Sequence, residues 1–300
     1  MGVKLKPINE QVIVITGASS GIGLATVERA VECGAKVVLA ARSEETLEEI
    51  VDYINLSGGD AIFVPCDVGD GEQIEEVAQA ALDHFGRIDT WVNNAGVAIY
   101  GRLEQVSEED SRRLFDTNFW GVVNGSLIAL RHLKESGGGA LINVGSEVSD
   151  AYIPLQGMYS ASKHAVKGFT DALRVEVEEL DKAPISITLI QPTAVNTPYP
   201  QHAKNYLDRE PKLPSPQIDP HDVADAILEA ASDGGRDVKV GTMAHMNSFM
   251  AKVIPGLADK MSAMMEKRQM EDNPPRRDPD GALYRPSGGG KIYGHAPGVQ

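Results

Sequence analysis

The sequence predicts an α/β fold in which one doubly wound parallel sheet of about seven strands has helices on both faces. Three observations support this prediction. Short runs of β-branched residues alternate with helical patterns from residue 11 to about residue 240. The predicted strands are nearly all apolar, as expected when helices cover both faces of a parallel sheet. A glycine-rich turn follows the first strand, and right-handed crossovers would join such units into one sheet.

Each element follows from its local pattern along the chain. Runs rich in Val, Ile and Ala predict the strands Val12–Thr16, Lys36–Ala41, Ala61–Pro65, Ile88–Val92, Ala140–Val144, Ile185–Gln191 and Val238–Val240. Apolar residues at helical spacing predict the helices Ile22–Glu32, Glu44–Leu56, Gln73–Phe85, Glu108–Lys134, Ser160–Leu180 and His221–Ser232. Residues 1–240 therefore form one predicted domain.

Three segments depart from this alternation. Residues 193–219 contain five prolines and little periodicity, so we expect a loop that overhangs the carboxyl edge of the sheet, where ligands bind in this architecture. Residues 241–272 are rich in methionine near helical spacing and are interrupted at Pro255. We expect a broken helix that packs on the domain or on another subunit, with a wall of a binding pocket as the alternative. Residues 273–300 are rich in Pro and Gly, which predicts either a disordered tail or an arm on a neighbouring subunit.

Composition and charge exclude several classes of protein. The net charge of −15 at pH 7 is spread along the chain, which disfavours nucleic acid and anionic membranes as partners. Cys33 and Cys66 lie far apart with no companion histidine cluster, so neither a disulfide framework nor a zinc site is predicted. No segment has the pattern of a signal peptide or a membrane span. We therefore expect a cytoplasmic protein.

The turn after the first strand has the pattern of a phosphate-binding loop. Gly17 permits a tight turn, Gly21 lets the backbone approach a pyrophosphate, and Gly23 allows close packing of the next helix on the strand. Free N–H groups and a partial positive charge at the helix N-terminus favour phosphate there. The pattern predicts a Rossmann-type dinucleotide site, with a purely structural glycine-rich connection as the alternative. The predicted contacts of this turn are Gly17, Ser19, Ser20, Gly21, Ile22 and Gly23.

The end of the second strand favours NADP(H) over NAD(H). A carboxylate about 20 residues after the glycine turn would hold the ribose 2′-hydroxyl of NAD. Here the strand ends in Arg42 and Ser43, before any carboxylate. The guanidinium of Arg42 suits a 2′-phosphate, assisted by Ser43 and Ser19. NAD(H) remains the second choice, in which case Arg42 is a solvated residue at the start of a helix.

A second motif, YSASK, places Tyr159 and Lys163 four residues apart in a predicted helix. This spacing puts both side chains on one helix face. A free tyrosine has a pKa of about 10, and lowering it to near 7 requires roughly 4 kcal/mol. An ammonium ion about 4 Å away in a partly buried site supplies an energy of that order. The pair can therefore exchange a proton with a substrate oxygen without a metal ion.

The order of the motifs adds a resemblance to a known family. TGASSGIG, Asp67 in CDV, NNAG at 93–96, Asn118, Ser146 and the YSASK pair occur in one order along the chain. With these motifs the sequence resembles the short-chain dehydrogenase/reductase family over about residues 9–240. The resemblance implies a nicotinamide-dependent oxidoreductase that interconverts a ketone or aldehyde with an alcohol. A dinucleotide-binding sensor or scaffold without turnover is the alternative.

The resemblance implies catalytic roles for four side chains. Tyr159 would pass the proton to or from the substrate oxygen. Lys163 would lower the pKa of that phenol and hold the nicotinamide ribose hydroxyls. Ser146 would hydrogen-bond the substrate carbonyl oxygen, and Asn118 would help to fix the lysine through a proton relay. Taken one at a time, each has a structural alternative, such as a helix cap, a kink or a solvated charge.

Further cofactor contacts are implied by the same resemblance. Asn94, Ala95 and Gly96 would pack beneath the adenine ribose. Asp67 would meet the adenine amino group, with Val68 beside the ring.

The segment after the sixth strand should contact the nicotinamide end. Thr197 resembles the family threonine that touches the nicotinamide carboxamide, and Pro192 and Val195 belong to the same segment. The family usually has Pro-Gly here, whereas this chain has Pro192-Thr193. Because a β-branched residue resists positive φ, we expect a different local backbone at Thr193.

The expected substrate is a small carbonyl compound or alcohol. His202 lies in the predicted loop and is a candidate substrate contact. Apolar residues beside the motifs hint at an apolar substrate: Val148, Tyr152, Ile153, Leu155, Met158, Val195 and Tyr199. The resemblance also implies a homodimer or homotetramer, in which the helices Glu108–Lys134 and Ser160–Leu180 pair between subunits.

Overall fold

The protein folds around a seven-stranded parallel sheet, seen in a computed structural model that describes residues 3–295. The strands of this part are β1 Val12–Thr16, β2 Lys36–Ala41, β3 Asp60–Pro65, β4 Thr90–Asn93, β5 Ile99–Tyr100, β6 Gly139–Val144, β7 Ile185–Pro192, β8 Lys204–Asn205 and β9 Asp237–Val240. The large sheet has the order β3-β2-β1-β4-β6-β7-β9, with parallel pairs throughout. The predicted fold class is confirmed.

Helices lie between the strands in the predicted alternation. Those in the described residues are α1 Gly21–Glu32, α2 Glu44–Leu56, α3 Gly71–Phe85, α4 Glu108–Phe115, α5 Gly121–Glu135, α6 Gly157–Arg174, α7 Tyr199–His202, α8 Pro220–Asp233, α9 Thr242–Val253 and α10 Pro255–Met264. Local capping sets their ends: the Asp70 carboxylate accepts from the Glu72 amide before α3, and Gly86 ends α3 at φ 77°. None of these helices is both long and apolar enough to cross a membrane.

The core lies on both faces of the sheet. Alternate residues of a strand point to opposite faces. Ile13 and Leu39 pack in a cluster with α1, α2 and α8, whereas Val14 and Val38 pack in a second cluster with α3, α5 and α6. Because helices cover both faces, the carboxyl ends of the strands are left as the place for a site.

Two predicted helices are interrupted, which corrects the sequence analysis. The predicted helix Glu108–Lys134 is divided by a π-helical turn at Asp116–Trp120, and the predicted helix Ser160–Leu180 ends in another at Val175–Leu180. A π turn adds one residue to a helical turn while the apolar spacing on either side continues, so periodicity alone does not reveal it. The first of these turns contains Asn118.

A small parallel pair joins two loops at the carboxyl edge of the large sheet. β5 follows β4 and pairs with β8, which lies in the proline-rich loop of residues 193–219. An isolated bridge between Gly101 and Gln156 ties the same region to the start of α6. The proline-rich loop is thus held in place by backbone pairing that its sequence did not suggest.

The C-terminal part of the chain lies on its own domain. The methionine-rich extension forms α9 and α10, which separate at Pro255 as the sequence predicted. Residues 279–295, named the strap below, run across the carboxyl edge of the sheet. In the described residues the strap packs on its own chain, and an arm on a neighbouring subunit stays a prediction. Its anchor is Leu283, which is 0% exposed and packs with Val97, Ile99 and Leu114. Residues 296–300 of the predicted tail lie outside the described part.

Candidate active site

A cavity of about 270 Å³ lies at the carboxyl edge of the sheet. The predicted site residues in its wall are Gly17, Ser19, Ser20, Gly21, Ile22, Arg42, Ser43, Asp67, Val68, Asn94, Ala95, Gly96, Ser146, Tyr159, Lys163, Pro192, Val195 and Thr197. Gly23 and Asn118 do not line the cavity. Gly23 packs against Gly17 and Asn118 hydrogen-bonds Val97, and both of these partners are in the cavity wall. The structure therefore brings the glycine turn and the YSASK motif to one cavity.

The glycine turn is built by close backbone packing. Gly17 has φ 67°, and a Cβ on Gly23 would overlap the Gly17 carbonyl oxygen. Asn94 closes the turn from β4, since its Nδ2 donates to the carbonyls of Thr16 at 3.0 Å and Gly17 at 3.3 Å. The N-terminus of α1 has no side-chain cap from Ser20. The first N–H group of α1, that of Gly21, donates to the Lys291 carbonyl at 2.9 Å. A helix N-terminus without a side-chain cap has the polarity that a phosphate site requires.

Arg42 lies at the end of β2 without an acidic partner in the described part of the chain. Its guanidinium donates instead to two carbonyls of the strap, those of Ala282 and Leu283, the second at 3.3 Å. Burial lowers the pKa of Arg42, although the nearby carboxylate of Asp67 opposes this effect. A partly buried cation that binds only carbonyl oxygens suits an anionic ligand.

Asp67 and Val68 form the neighbouring wall after β3. Asp67 accepts from the Gly69 amide at 3.0 Å and from the guanidinium of Arg113. The start of α5 packs behind this wall, where Gly121 lies against the Val68 side chain. The carboxylate is therefore fixed in the cavity wall, where its contact with an adenine stays a prediction.

Tyr159 lies near the start of α6, and its ring packs edge-on against Tyr199 with 5.5 Å between centroids. Burial raises the pKa of Tyr159 to about 12, while contacts with the hydroxyls of Ser146 and Tyr199 oppose the rise. Glu147 adds to the rise through its charge. The predicted lowering of this pKa is therefore not what the ligand-free site shows, because desolvation of the phenolate outweighs the other effects.

Lys163 lies beside Tyr159, but its ammonium group is directed elsewhere. The Nζ atom donates to the Val144 carbonyl at 2.9 Å and lies 5.7 Å from the centroid of the Tyr159 ring. Burial lowers the pKa of Lys163 to about 8. The lysine therefore changes its charge near neutral pH, and this is the unusual electrostatic property of the pair.

Asn118, in the π turn, binds the segment after β4 and the helix that carries the lysine. Its Oδ1 accepts from the Val97 amide at 2.8 Å, and its Nδ2 donates to the Val97 carbonyl at 3.0 Å and to Ser162 Oγ at 3.2 Å. A Cβ on Gly96 would lie 3.6 Å from Asn118 Oδ1 and 3.9 Å from Lys163 Nζ. Asn118 Oδ1 and Lys163 Nζ therefore both lie close to the open side of Gly96.

The departure from Pro-Gly after β7 is accommodated without a left-handed residue. Thr193 continues the strand by donating its amide to the Val240 carbonyl at 3.1 Å. Space for its methyl group comes from Gly241, where φ is 93° and a Cβ would lie 2.6 Å from Thr193 Cγ2. Val195 and Thr197 still reach the cavity. The Thr193 hydroxyl also gains a function, because it donates to Glu147 Oε2 at 3.0 Å.

Several residues of the cavity wall were missed by the sequence analysis. Glu147 is held by Thr193 and by Asn247 Nδ2 at 2.9 Å, and burial raises its pKa. The strap supplies Ala282, Pro286 and Ser287. Nothing in the local pattern separates Glu147 from an ordinary surface carboxylate. The apolar run Ala-Leu-Tyr at 282–284 was the one signal that the tail could pack.

Apolar residues at the catalytic end were predicted in part. Val148, Ile153, Val195 and Tyr199 line the cavity, and so does the predicted substrate contact His202. The other predicted apolar residues, Tyr152, Leu155 and Met158, are not in its wall. Neither is any residue of α9 or α10. Within residues 3–295, no group of His, Cys, Asp and Glu is arranged to hold a metal ion.

Comparisons with known proteins agree with this architecture. Residues 11–206 match the family model of the short chain dehydrogenases. The uncharacterized oxidoreductase YxnA of Bacillus subtilis is 45% identical over 285 residues, which cover 94% of this chain and 80% of that protein. A short-chain dehydrogenase/reductase from Burkholderia phymatum, solved in complex with NAD, is 27% identical with a TM-score of 0.70, covering 88% of this chain and 97% of that chain.

A second solved structure is similar over much of the fold. It is an alcohol dehydrogenase from Thermococcus sibiricus, complexed with 5-hydroxy-NADP. It is 28% identical with a TM-score of 0.66, covering 77% of this chain and 94% of that chain. The family match and the sheet order lead to the same assignment, and so does the cavity that both the glycine turn and the YSASK motif line. This chain belongs to the short-chain dehydrogenase/reductase family of oxidoreductases.

Proposed function

We propose that this protein is an NADP(H)-dependent oxidoreductase that interconverts a ketone or aldehyde with an alcohol, with Tyr159 as general acid and base. One observation carries the proposal: Ser146, Tyr159 and Lys163 line the same cavity as the glycine turn and Arg42. The two related structures with NAD and 5-hydroxy-NADP support a nicotinamide dinucleotide as the cofactor. When bound, that cofactor would supply or accept the hydride.

The residues present fit such a cofactor. The glycine turn and the uncapped N-terminus of α1 suit a pyrophosphate, which would replace the Lys291 carbonyl as the acceptor of the Gly21 N–H. Arg42 and Ser43 line the same cavity and offer a cation and a hydroxyl to a 2′-phosphate. Thr197 packs close to Gly21, since a Cβ on that glycine would lie 3.3 Å from the threonine side chain. The glycine turn and the segment after β7 therefore meet in the cavity wall.

Tyr159 and Ser146 would act on the substrate oxygen. The high pKa of Tyr159 keeps the phenol protonated at neutral pH, so it can donate a proton to an oxygen that develops negative charge during carbonyl reduction. The Ser146 hydroxyl can hydrogen-bond the same oxygen. Lys163 would hold hydroxyls of the nicotinamide ribose and stabilise the phenolate that remains. Asn118 would help to position the lysine through its hydrogen bond to Ser162 of the same helix.

The experiment that tests the function is a panel of ketones and aldehydes offered with NADPH, followed by the loss of absorbance of the reduced nicotinamide. We expect turnover of at least one apolar carbonyl compound, because Val148, Ile153 and Tyr199 line the catalytic end. Tight binding of NADPH without turnover of any carbonyl compound or alcohol would favour the sensor or scaffold instead.

Carbonyl reduction is expected to lose activity as the pH rises above about 8. Burial lowers the pKa of Lys163 to about 8, so its ammonium form is present below that pH and is lost above it. Tyr159, with a pKa of about 12, stays protonated through this range. We therefore expect kcat/KM for reduction to be flat below about pH 8 and to fall above it. Lys163→Arg keeps its charge, so the fall should move to higher pH in this variant. If activity still falls near pH 8 in Lys163→Arg, a group other than Lys163 causes the loss.

Arg42→Asp is expected to reverse the cofactor preference. The variant removes the cation proposed for the 2′-phosphate and introduces a carboxylate that can accept from a ribose 2′-hydroxyl. We expect kcat/KM with NADPH to fall about a hundredfold and that with NADH to rise. Arg42→Ala is the matched control, because it also removes the contacts to the strap but adds no carboxylate. An unchanged ratio of NADPH to NADH activity in both variants would remove Arg42 from the site.

We also propose that the protein forms a homodimer or a homotetramer. Trp120 and Leu127, beside and on α5, are 51% and 53% exposed, and Val175 at the end of α6 is 48% exposed. These apolar side chains lie on the two helices that the family resemblance places between subunits. Burying them against a second copy would remove apolar surface from water.

A further inference from the structure

The strap follows a defined path along the dinucleotide half of the cavity. Near its start, the Pro279 carbonyl accepts from the Asn205 amide at 2.8 Å. In the middle of the strap, the carbonyls of Ala282 and Leu283 accept hydrogen bonds from the Arg42 guanidinium. Further on, the Gly290 amide donates to the Ser19 carbonyl at 2.8 Å, and the Lys291 carbonyl accepts from the Gly21 amide at 2.9 Å. The strap therefore runs from the loop after β7, past the end of β2, to the glycine turn.

Side chains hold the strap at both ends of this path. The hydroxyl of Tyr284 donates to Asp110, a buried carboxylate that also pairs with Lys204. At the other end the hydroxyl of Tyr293 donates to Asp219 at 3.1 Å. Together with the buried Leu283, these contacts fix the strap relative to the domain. The residues between the anchors consequently have a set position at the cavity.

Ser287 occupies the section of the strap that faces the predicted 2′-phosphate site. Two residues later, Gly289 packs against the side chain of Thr46, where a Cβ would lie 2.6 Å from Thr46 Cγ2. Thr46 in turn hydrogen-bonds the Ser43 hydroxyl at 2.9 Å. Arg42 contacts the strap before Ser287, and Ser19 contacts it after Ser287. Ser287 therefore lies between two residues that are predicted to contact the adenosine ribose.

The hydroxyl of Ser287 has no partner within residues 3–295, although its oxygen is buried. The same residue lines the cavity together with Arg42 and Ser43. A buried hydroxyl without a hydrogen bond is costly, so a ligand that accepts one would relieve that cost. The Arg42 guanidinium in the same cavity wall, which has no acidic partner in the described chain, favours a negatively charged acceptor.

We propose that the Ser287 hydroxyl donates to the 2′-phosphate of NADP(H), which makes the strap part of the cofactor site and a determinant of its specificity. This inference rests on the proposed function, because it requires a dinucleotide at the glycine turn. It adds a ligand from outside residues 11–206, the part of the chain that matches the family model. Arg42 and Ser287 would then hold the phosphate from two sides.

The test compares two probes that differ in the 2′-phosphate alone, adenosine 2′,5′-bisphosphate and adenosine 5′-monophosphate, by titration calorimetry on the full chain. We expect Ser287→Ala to bind the bisphosphate about tenfold more weakly than the wild type does, with an unchanged affinity for the monophosphate. Ser287→Asp should weaken binding of the bisphosphate by about a hundredfold, because the new carboxylate would repel the negatively charged 2′-phosphate. Ser287→Thr keeps a hydroxyl and should restore binding. Ser57→Ala, at an exposed serine of the surface, is the control for the substitution itself.

The outcomes separate this inference from the proposed function. Wild-type protein that binds neither probe would overturn the dinucleotide site and the inference with it. Wild-type protein that prefers the bisphosphate, with Ser287→Ala unchanged, would overturn the inference alone. Equal weakening of both probes in Ser287→Ala would mean that the serine positions the strap and does not bind the 2′-phosphate. Thermal unfolding of each variant confirms that a loss of binding is not a loss of fold.

Discussion

Replacing Tyr159 with phenylalanine is expected to reduce kcat for carbonyl reduction by about a thousandfold. The substitution removes the proton donor and leaves the rest of the ring in place. That ring packs against Tyr199 and in the cluster of Leu283 and Leu114, so Phe should preserve the local structure. NADPH affinity should stay nearly constant, because the ring is retained in the cavity wall. The measurements are steady-state reduction with the best carbonyl compound of the panel and NADPH binding by fluorescence.

Tyr100→Phe is a matched control for this experiment. Tyr100 is fully buried, whereas Tyr159 is partly buried, and the Tyr100 ring lies 6.4 Å from that of Tyr199. Its hydroxyl has no hydrogen-bond partner among the described residues and does not line the cavity. We expect this variant to keep most of its activity. Activity retained by Tyr159→Phe, or lost equally in the two variants, would contradict a role of the Tyr159 hydroxyl as acid and base.

Leu283→Ala is expected to lower the free energy of unfolding by about 3 kcal/mol. The side chain is 0% exposed and fills a cluster with Val97, Ile99 and Leu114. The carbonyl of the same residue accepts from Arg42 at 3.3 Å and from Arg113 Nε at 3.2 Å. Loss of the anchor should therefore displace these backbone contacts and weaken NADPH binding about tenfold. Chemical denaturation and NADPH titration measure the two effects.

A second buried leucine separates loss of stability from loss of binding. Leu133 of α5 is equally buried, but it packs in the cluster with Ile74 and Trp91, away from the strap. Leu133→Ala should be destabilised by a similar amount, with NADPH affinity unchanged below its unfolding transition. If both variants bind NADPH like the wild type, the strap contributes to folding and not to the cofactor site.

The fold and much of the site could be predicted because their signals are local. A parallel sheet buried on both faces leaves apolar strands such as Val12–Thr16 between helical patterns, and these need no knowledge of the partner strand. The glycine turn and the YSASK helix likewise carry their geometry within a few residues. Their meeting in one cavity follows from the order of parallel strands, whose carboxyl ends share one edge.

The remaining features depend on contacts that local patterns do not contain. The π turn at Asn118 leaves the helical periodicity on either side intact. Desolvation determines the pKa of Tyr159 and of Lys163, and it depends on how many other segments cover the site. The strap has Leu283 as its one fully buried apolar anchor in the described tail. Its composition therefore resembles that of a disordered segment, although the receiving surface is well formed.

The position of the strap in the chain also matters for biosynthesis. Ala282, Pro286 and Ser287 follow every other residue of the cavity wall in sequence. A ribosome therefore completes the glycine turn and the tyrosine helix long before it completes this wall. If Ser287 binds the cofactor as proposed, the nascent protein acquires this contact only after the final wall has been translated. A protease that cuts within the strap would break the same proposed contact in the mature enzyme.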